Sequence, residues 1–181
     1  MPDEIENSPQ IVDLGRREYA PVLAEMRSLH ERVRSGEPGR ILLVEHERVY
    51  TAGRATPADQ LGPHVVPIER GGQITHHGPG QLVVYPIIRL PRRDVRDWLR
   101  RLEAFGTAIC RAFGLAAEPS VDGTGVFVGN RKVASIGVSI KQWVNLHGIG
   151  INVQMAVSLH LLTQMNVSEW ETPAFRLCLR L

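Results

Sequence analysis

Arg70-Gly71-Gly72-Gln73-Ile74-Thr75-His76-His77-Gly78-Pro79-Gly80-Gln81-Leu82-Val83-Val84-Tyr85-Pro86 decides how this chain is read. Hydrogen-bonding side chains sit among glycines, and the run then passes directly into an apolar stretch. Glycine permits positive φ and close approach of backbone to a ligand. Gly71, Gly72, Gly78 and Gly80 therefore describe a wall of accessible amides with little bulk, suited to a long, thin ligand. Arg70, Gln73, Thr75, His76 and His77 alternate with smaller or apolar residues, a pattern that on a strand or tight hairpin sends polar groups toward one face. Leu82 through Ile88 reads as a buried strand that fixes the loop. Polar loops held by rigid strands are where binding concentrates, and a structural hairpin with two packed histidines is the plainer alternative.

On the N-terminal side, Tyr19, Val22, Leu23, Met26, Leu29 and Val33 recur at helical spacing and predict an amphipathic helix ending near Gly36. Ile41-Leu42-Leu43-Val44 and Val49-Tyr50-Thr51 read as strands, joined into a hairpin by the charged turn Glu45-His46-Glu47-Arg48, and a loop through Gly62-Pro63 leads by way of Val65-Val66-Pro67-Ile68 to the glycine-rich segment. On the C-terminal side, Val95, Trp98, Leu99, Leu102, Phe105, Ile109 and Phe113 predict a second helix stopped by Gly114. A Gly129-Asn130 turn between Val126-Phe127-Val128 and Val133 to Val138 predicts a hairpin, and Val144 to Val153 supplies a further strand. Two helices among many strands imply an α+β fold, a mixed β-sheet flanked by helices, in one domain over residues 1–181.

With 181 residues, 43% of them hydrophobic and 22% charged, the chain can bury a core and has the balance of a soluble globule. A formal charge of +2 argues against a nucleic-acid or membrane-surface partner. Arg92, Arg93, Arg96, Arg100 and Arg101 form a local basic cluster on the second helix, with a solvated helical face as the simpler reading. The start of the chain lacks the basic and apolar regions of a secretory leader, and no apolar run approaches membrane-spanning length, so a cytoplasmic protein is expected. Cys110 and Cys178 are the only cysteines; they fit no metal-ligand spacing, and no metal or cofactor is expected.

Of 21 basic residues only Lys132 and Lys141 are lysines. Where a cation need only be solvated this chain uses arginine, so Lys132 reads as a group that can lose its proton, a base if partly buried, against the alternative of a surface hairpin lysine. Small residues follow it in Val133-Ala134-Ser135-Ile136-Gly137 and again in His147-Gly148-Ile149-Gly150-Ile151. A groove walled by Gly137, Gly148 and Gly150 would accept an extended acyl chain. His147 reads either as a group that orients a reacting atom or as a hydrogen-bonded structural histidine.

The segments Arg70 to Leu82, Gly129 to Val138 and His147 to Val153, with Leu43-Val44-Glu45-His46 and Tyr50 to Arg54 before them, resemble in order the signature segments of the lipoyl(octanoyl) transferases. The resemblance runs from about Leu14 to Val153. It implies a fold like the catalytic domain of biotin and lipoate ligases. The implied activity is transfer of an octanoyl group from acyl carrier protein to a lysine of the lipoyl domains of 2-oxoacid dehydrogenases and of the glycine cleavage carrier protein. By matching position it implies that Arg70, Gly71, Gly72, Gln73, Ile74, Thr75, His76, His77, Ser135, Ile136, Gly137, Gly148, Ile149 and Gly150 bind the acyl substrate and that Lys132 is the general base.

The family's nucleophile, a cysteine in a Pro-Cys-Gly turn, falls at or near Asn166 here, and segment 154–181 reads as an atypical and truncated end of the domain. An amide is not a nucleophile, and loss of a covalent nucleophile lowers the rate by about a million-fold. Cys178, flanked by Arg176 and Arg180, is the remaining thiol candidate. A non-catalytic protein that binds acyl carrier protein or lipoyl domains is the alternative from another class. An ATP-dependent lipoate or biotin ligase is the alternative among enzymes, although no adenylate-cradling segment is found.

Overall fold

The computed structural model describes residues 9–152. These form two compact units. One comprises residues 9–79 with Val83–Arg89 and Gly137–Gly148; the other comprises Gly80–Leu82, Leu90–Ile136 and residues 149–152.

The first unit begins with strand β1 (Gln10–Arg17), helix α1 (Tyr19–Arg34), β2 (Arg40–His46) and β3 (Val49–Ala52). β4 (Val65–Pro67) and β5 (Ile74–His77) follow, and the unit takes most of β6 (Gln81–Ile87) and parts of β9 (Arg131–Lys141) and β10 (Val144–Asn152). Its strand order is β1-β2-β6-β10-β9, with a separate three-stranded sheet β4-β3-β5. β2 runs parallel to β1 and antiparallel to β6, with Leu42 opposite Tyr85 and Val44 opposite Val83.

α1 ends where the sequence places it, and the expected apolar positions are the buried ones: Tyr19, Val22, Leu23, Met26, Leu29 and Val33. They pack with Leu42, Val44, Val83, Tyr85, Ile87, Val144 and Leu146 into one core. His30 joins them, its Nε2 3.2 Å from Val144 O, and burial pushes its pKa down. β9 turns into β10 through Gln142 and Trp143, both at positive φ (51° and 63°), the primed geometry that matches strand twist. Arg89 Nη1 donates to Gln142 O at 3.1 Å across that turn.

The expected hairpin between Ile41–Val44 and Val49–Thr51 does not form. β2 and β3 lie in different sheets, and His46, assigned by pattern to a charged turn, is a buried strand residue opposite Arg17. Glu47 N donates to Arg17 O at 3.1 Å, and the Arg16 guanidinium meets Glu47 at 2.8 Å. The connection is thereby drawn to β1 instead of reversing on itself.

The second unit contains helix α2 (Val95–Ala112), β7 (Ala117–Pro119), β8 (Val126–Val128) and the start of β9, in the strand order β9-β8-β7. The Gly129-Asn130 hairpin forms as expected between β8 and β9, with Gly129 at φ +57°. The Asp94 side chain caps α2, accepting from Arg96 N at 2.8 Å and Asp97 N at 3.1 Å, and Gly114 leaves it at φ +78°. Trp98, Leu102, Phe105 and Cys110 form its buried seam, whereas Val95, expected on that stripe, is exposed. A mid-helix glycine weakens a helix. Gly106 is explained by contact, since a Cβ there would lie 2.6 Å from Ile149 Cδ1. Among the described residues no helix is long and apolar enough to cross a membrane.

Met26 is fully buried at the centre of the α1 core. Met26→Ala is expected to lower unfolding free energy by about 2–5 kcal/mol in urea denaturation; a loss under about 1 kcal/mol would show that the α1 face is not packed as described.

Candidate functional site

A guanidinium buried in the first unit organises the glycine-rich segment. Arg70 Nη2 donates to Thr51 O at 2.8 Å and Thr51 Oγ1 at 2.9 Å, and Nη1 donates to Gly71 O at 2.9 Å. Arginine suits the place because its rigid fork serves several acceptors at once and stays charged when desolvated. Burial pushes the Arg70 pKa down.

The backbone around Arg70 is stitched to two other elements. Gly53 N donates to Gln73 O at 3.1 Å, Arg54 N to Arg70 O at 3.0 Å and Ala55 N to Gly72 O at 3.1 Å. Gly71 N donates to Val138 O at 3.0 Å. A Cβ on Gly53 would strike the Gly72 carbonyl, and one on Gly137 would lie 2.7 Å from Arg70 Cδ. The structure thus brings Arg70, Gly71 and Gly72 beside Gly137.

Glycine at 137, 148 and 150, read from sequence as the wall of a groove, has a packing explanation here. A Cβ on Gly148 would strike the Val84 carbonyl, and one on Gly150 would lie 3.0 Å from Gln81 Oε1. Gly71 and Gly72 are the open positions: a Cβ on Gly71 would meet nothing closer than Val138 O at 4.0 Å, and one on Gly72 nothing closer than Arg70 Nη1 at 3.6 Å.

The polar side chains of this segment do not share a face. β5 sends Thr75 and His77 inward and Ile74 and His76 outward, because neighbouring strand residues point to opposite sides. His76 lies outside against Tyr50, ring centroids 5.0 Å apart. His77 is buried and stacks on Tyr19 at 6.1 Å.

His77 belongs to a buried aromatic cluster with His46, Tyr19 and Tyr85, of which sequence reasoning singled out only His77 as a site residue. His46 Nδ1 lies 3.2 Å from Arg17 O, and Nε2 lies 2.9 Å from Tyr85 Oη. A carbonyl can only accept, so the network assigns the His46 proton to Nδ1, and Nε2 accepts from the Tyr85 hydroxyl. Burial agrees with that neutral state by pushing the His46 pKa down and those of Tyr19 and Tyr85 up. The available signal for His46 was the continuous strand pattern through Val44-Glu45-His46.

His147 is buried and left-handed, with φ +67°. Its Nε2 lies 3.5 Å from Glu69 Oε2. Glu69 accepts from Arg27 Nε on Oε1 and from Arg27 Nη2 on Oε2, each at 3.0 Å. His147 first, and Arg27 after it, hold the Glu69 carboxyl well below the usual carboxylate range against the opposing effect of burial. Neither Glu69 nor Arg27 was visible as a site residue in the sequence.

In the second unit, Lys132 is exposed on β9, so the described residues do not supply the partial burial expected of it. Its Nζ lies 5.7 Å from the Phe127 ring centroid. It lines a cavity of about 800 Å³ together with Glu118, Asp122, Thr124 and Phe127. Glu103, buried on α2, accepts from Gly125 N at 3.0 Å and fixes the loop beside Lys132, where a Cβ on Gly125 would lie 2.5 Å from Lys132 Cε. Ser135 and Ile136 are half-buried on β9, while Ile149 and Gly150 are buried on β10. Asn166 and Cys178 lie outside the described residues. Cys110 is free and buried, and burial pushes its thiol pKa up, which suits packing and not nucleophilic attack.

A protein-family model described as the lipoyl protein ligase A/B catalytic domain matches residues 18–171. An octanoyltransferase of Geobacter sp. strain M21 is 43% identical over 146 residues, covering 78% of this chain and 72% of that protein. An octanoyltransferase of Laribacter hongkongensis is 44% identical over 149 residues, covering 78% and 72%. Among solved structures, lipoate-protein ligase A bound with ATP superposes with a TM-score of 0.64 at 14% identity, over 96% of this chain and 86% of that one. A biotin acetyl coenzyme A carboxylase synthetase from Helicobacter pylori gives 0.55 at 13% identity, over 91% and 74%. These structural likenesses carry the α+β fold alone, and they agree with the fold expected from sequence.

Arg70→Lys keeps the charge but cannot reach Thr51 and Gly71 together. It is expected to lower stability by roughly 1–3 kcal/mol, the cost of stranding buried acceptors, measured by urea denaturation. A change below about 0.5 kcal/mol would mean that the fork is not what orders this segment.

Proposed function

We propose that this chain, which belongs to the lipoyl protein ligase A/B catalytic domain family and within it to the octanoyltransferases, moves an octanoyl group from acyl carrier protein to a lysine amine of a lipoyl domain. Its acceptors are the lipoyl domains of 2-oxoacid dehydrogenases and the glycine cleavage carrier protein, and it works as a single catalytic domain in the cytoplasm. One observation carries the reading to particular residues. The glycine-rich segment is tied to the β9 motif through Gly71 N and Val138 O, and it leaves Gly71 and Gly72 open to a thin ligand.

The chemistry asked of the site is acyl transfer in two halves. A thiolate attacks the thioester carbonyl, the carbonyl reforms as the C–S bond to the carrier breaks, and the carrier sulfur leaves as a thiolate that takes up a proton. The acceptor amine, freed of its own proton, then attacks the enzyme thioester and releases the enzyme thiol. Lys132 is assigned the proton transfers of both halves. Residues 70–77, 135–137 and 148–150 are assigned the acyl group. The Gly71 amide is already committed to Val138 O, so oxyanion donors come from the other amides of these segments.

With Asn166 at the family's cysteine position, Cys178 is the thiol left to serve as nucleophile. The same asparagine favours a second reading, in which the chain binds octanoyl carrier protein without turning it over. Intact-mass measurement after incubation with octanoyl-acyl carrier protein separates the two. The transferase reading expects a slow octanoyl adduct on the chain that is lost in Cys178→Ser, whereas the binding reading expects saturable binding of the carrier with no adduct on either protein. A rapid adduct that survives Cys178→Ser would overturn this assignment of the nucleophile. Octanoyl adenylate made from ATP and free octanoate would overturn the transferase reading itself.

A further inference from the structure

We infer that Glu69 and His147 are a positioning pair that holds two substrate-binding segments at fixed spacing, with Arg27 on α1 as its anchor; the inference rests on the acyl-binding reading above. Glu69 immediately precedes Arg70, and His147 immediately precedes Gly148. The 3.5 Å approach of His147 Nε2 to Glu69 Oε2 therefore ties the first residues of both segments to each other.

His147 bears two costs that a purely structural position would avoid. Its backbone is left-handed at φ +67°, a region that non-glycine side chains rarely occupy. Its Nε2 is buried and has no hydrogen-bond partner among the described residues. An apolar residue would remove the second cost and glycine the first. Strain and unsatisfied polar atoms persist where surrounding structure enforces them, and they concentrate at working sites.

The enforcing contacts are explicit. Asn145 Nδ2 donates to His147 O at 2.9 Å and to Pro86 O at 2.7 Å, which fixes the peptide after His147. Gly148 is pressed against the Val84 carbonyl so closely that no side chain fits. The imidazole lies edge-on to the Tyr85 ring, centroids 6.4 Å apart, with Nε2 3.5 Å from Glu69 Oε2. A carboxylate only accepts, so the approach is attractive when Nε2 bears a proton. On the other side Glu69 is oriented by the paired 3.0 Å bonds from Arg27. The tie thus runs from helix to carboxylate to imidazole to strand, and rigid elements hold a site more precisely than loops do. Neither residue needs to touch the acyl group, because each acts through its neighbour in sequence.

The test is a double-mutant cycle on the full chain, read by the dissociation constant for octanoyl-acyl carrier protein. Glu69→Gln keeps the shape and loses the charge, and His147→Asn keeps a residue tolerant of left-handed backbone while withdrawing the ring. Each single variant is expected to bind about tenfold more weakly, and the double variant no more weakly than the worse single, because one interaction is lost only once. Single variants that bind like wild type, or losses that multiply in the double, overturn the pair while leaving the acyl-binding reading intact. A wild-type chain that does not bind octanoyl carrier protein overturns that reading itself, and the pair falls with it. Thermal unfolding of the same proteins separates a structural role, since a merely structural pair would lower Tm without changing the dissociation constant of the folded protein. If a variant does not fold, the wild-type His147 ring nitrogen signals decide: they are expected to shift on binding the octanoyl carrier, and unmoved signals overturn the proposal.

Discussion

A guanidinium removed from water must be given acceptors, and Arg70 finds them in Thr51 and in the carbonyl of the residue that follows it. That requirement draws the chain after Arg70 close to β3 and the Gly53 turn, so close that Gly53 admits no Cβ. Gly137 is bare for the same reason, since Arg70 Cδ occupies the space. With those contacts in place, Gly71 and Gly72 are held open on a fixed backbone. The open stretch exists because its neighbours are tightly packed, and a desolvated arginine is what makes them so.

Around this segment the first unit invests in buried polar groups that are almost fully paired. His46 lies between Arg17 O and the Tyr85 hydroxyl, and His77 lies against Tyr19. Glu69 is claimed by Arg27 and by His147. Networks of this kind specify geometry more than they add stability, because desolvation offsets much of each bond. The cluster nearest the glycine-rich segment is accordingly where the fold accepts a left-handed histidine with an incompletely satisfied nitrogen.

Much of the architecture was legible because hydrophobic period maps directly onto burial. The α1 stripe and the apolar runs of β2, β6 and β10 needed no tertiary information. β1 was not legible: Gln10–Arg17 is half polar and takes an extra residue at Gly15, whose amide bonds Asp13 Oδ1 at 2.8 Å. The β2–β3 connection was misread because charged residues resemble a turn, and only the pairing of His46 with Arg17 shows that the strand continues. The glycine-rich motifs stood out in the sequence as dense polar and glycine patterns. Their supports did not, since Arg27 and Glu69 are 42 positions apart and no local pattern encodes their pairing. Reading Gly137 and Gly148 as a groove wall also missed that Arg70 and the Val84 carbonyl already fill those places.

The proposed acyl site is built around Arg70, with Gly71 and Gly72 as its open part. Amide chemical shifts of the full chain, titrated with a non-transferable amide analogue of octanoyl-acyl carrier protein, test this directly. The largest changes are expected on Gly71, Gly72 and Gln73, extending to Gly137 and Gly148. Changes confined to the Ala116–Lys132 cavity, with the Arg70 to Gln73 amides unmoved, would contradict that placement.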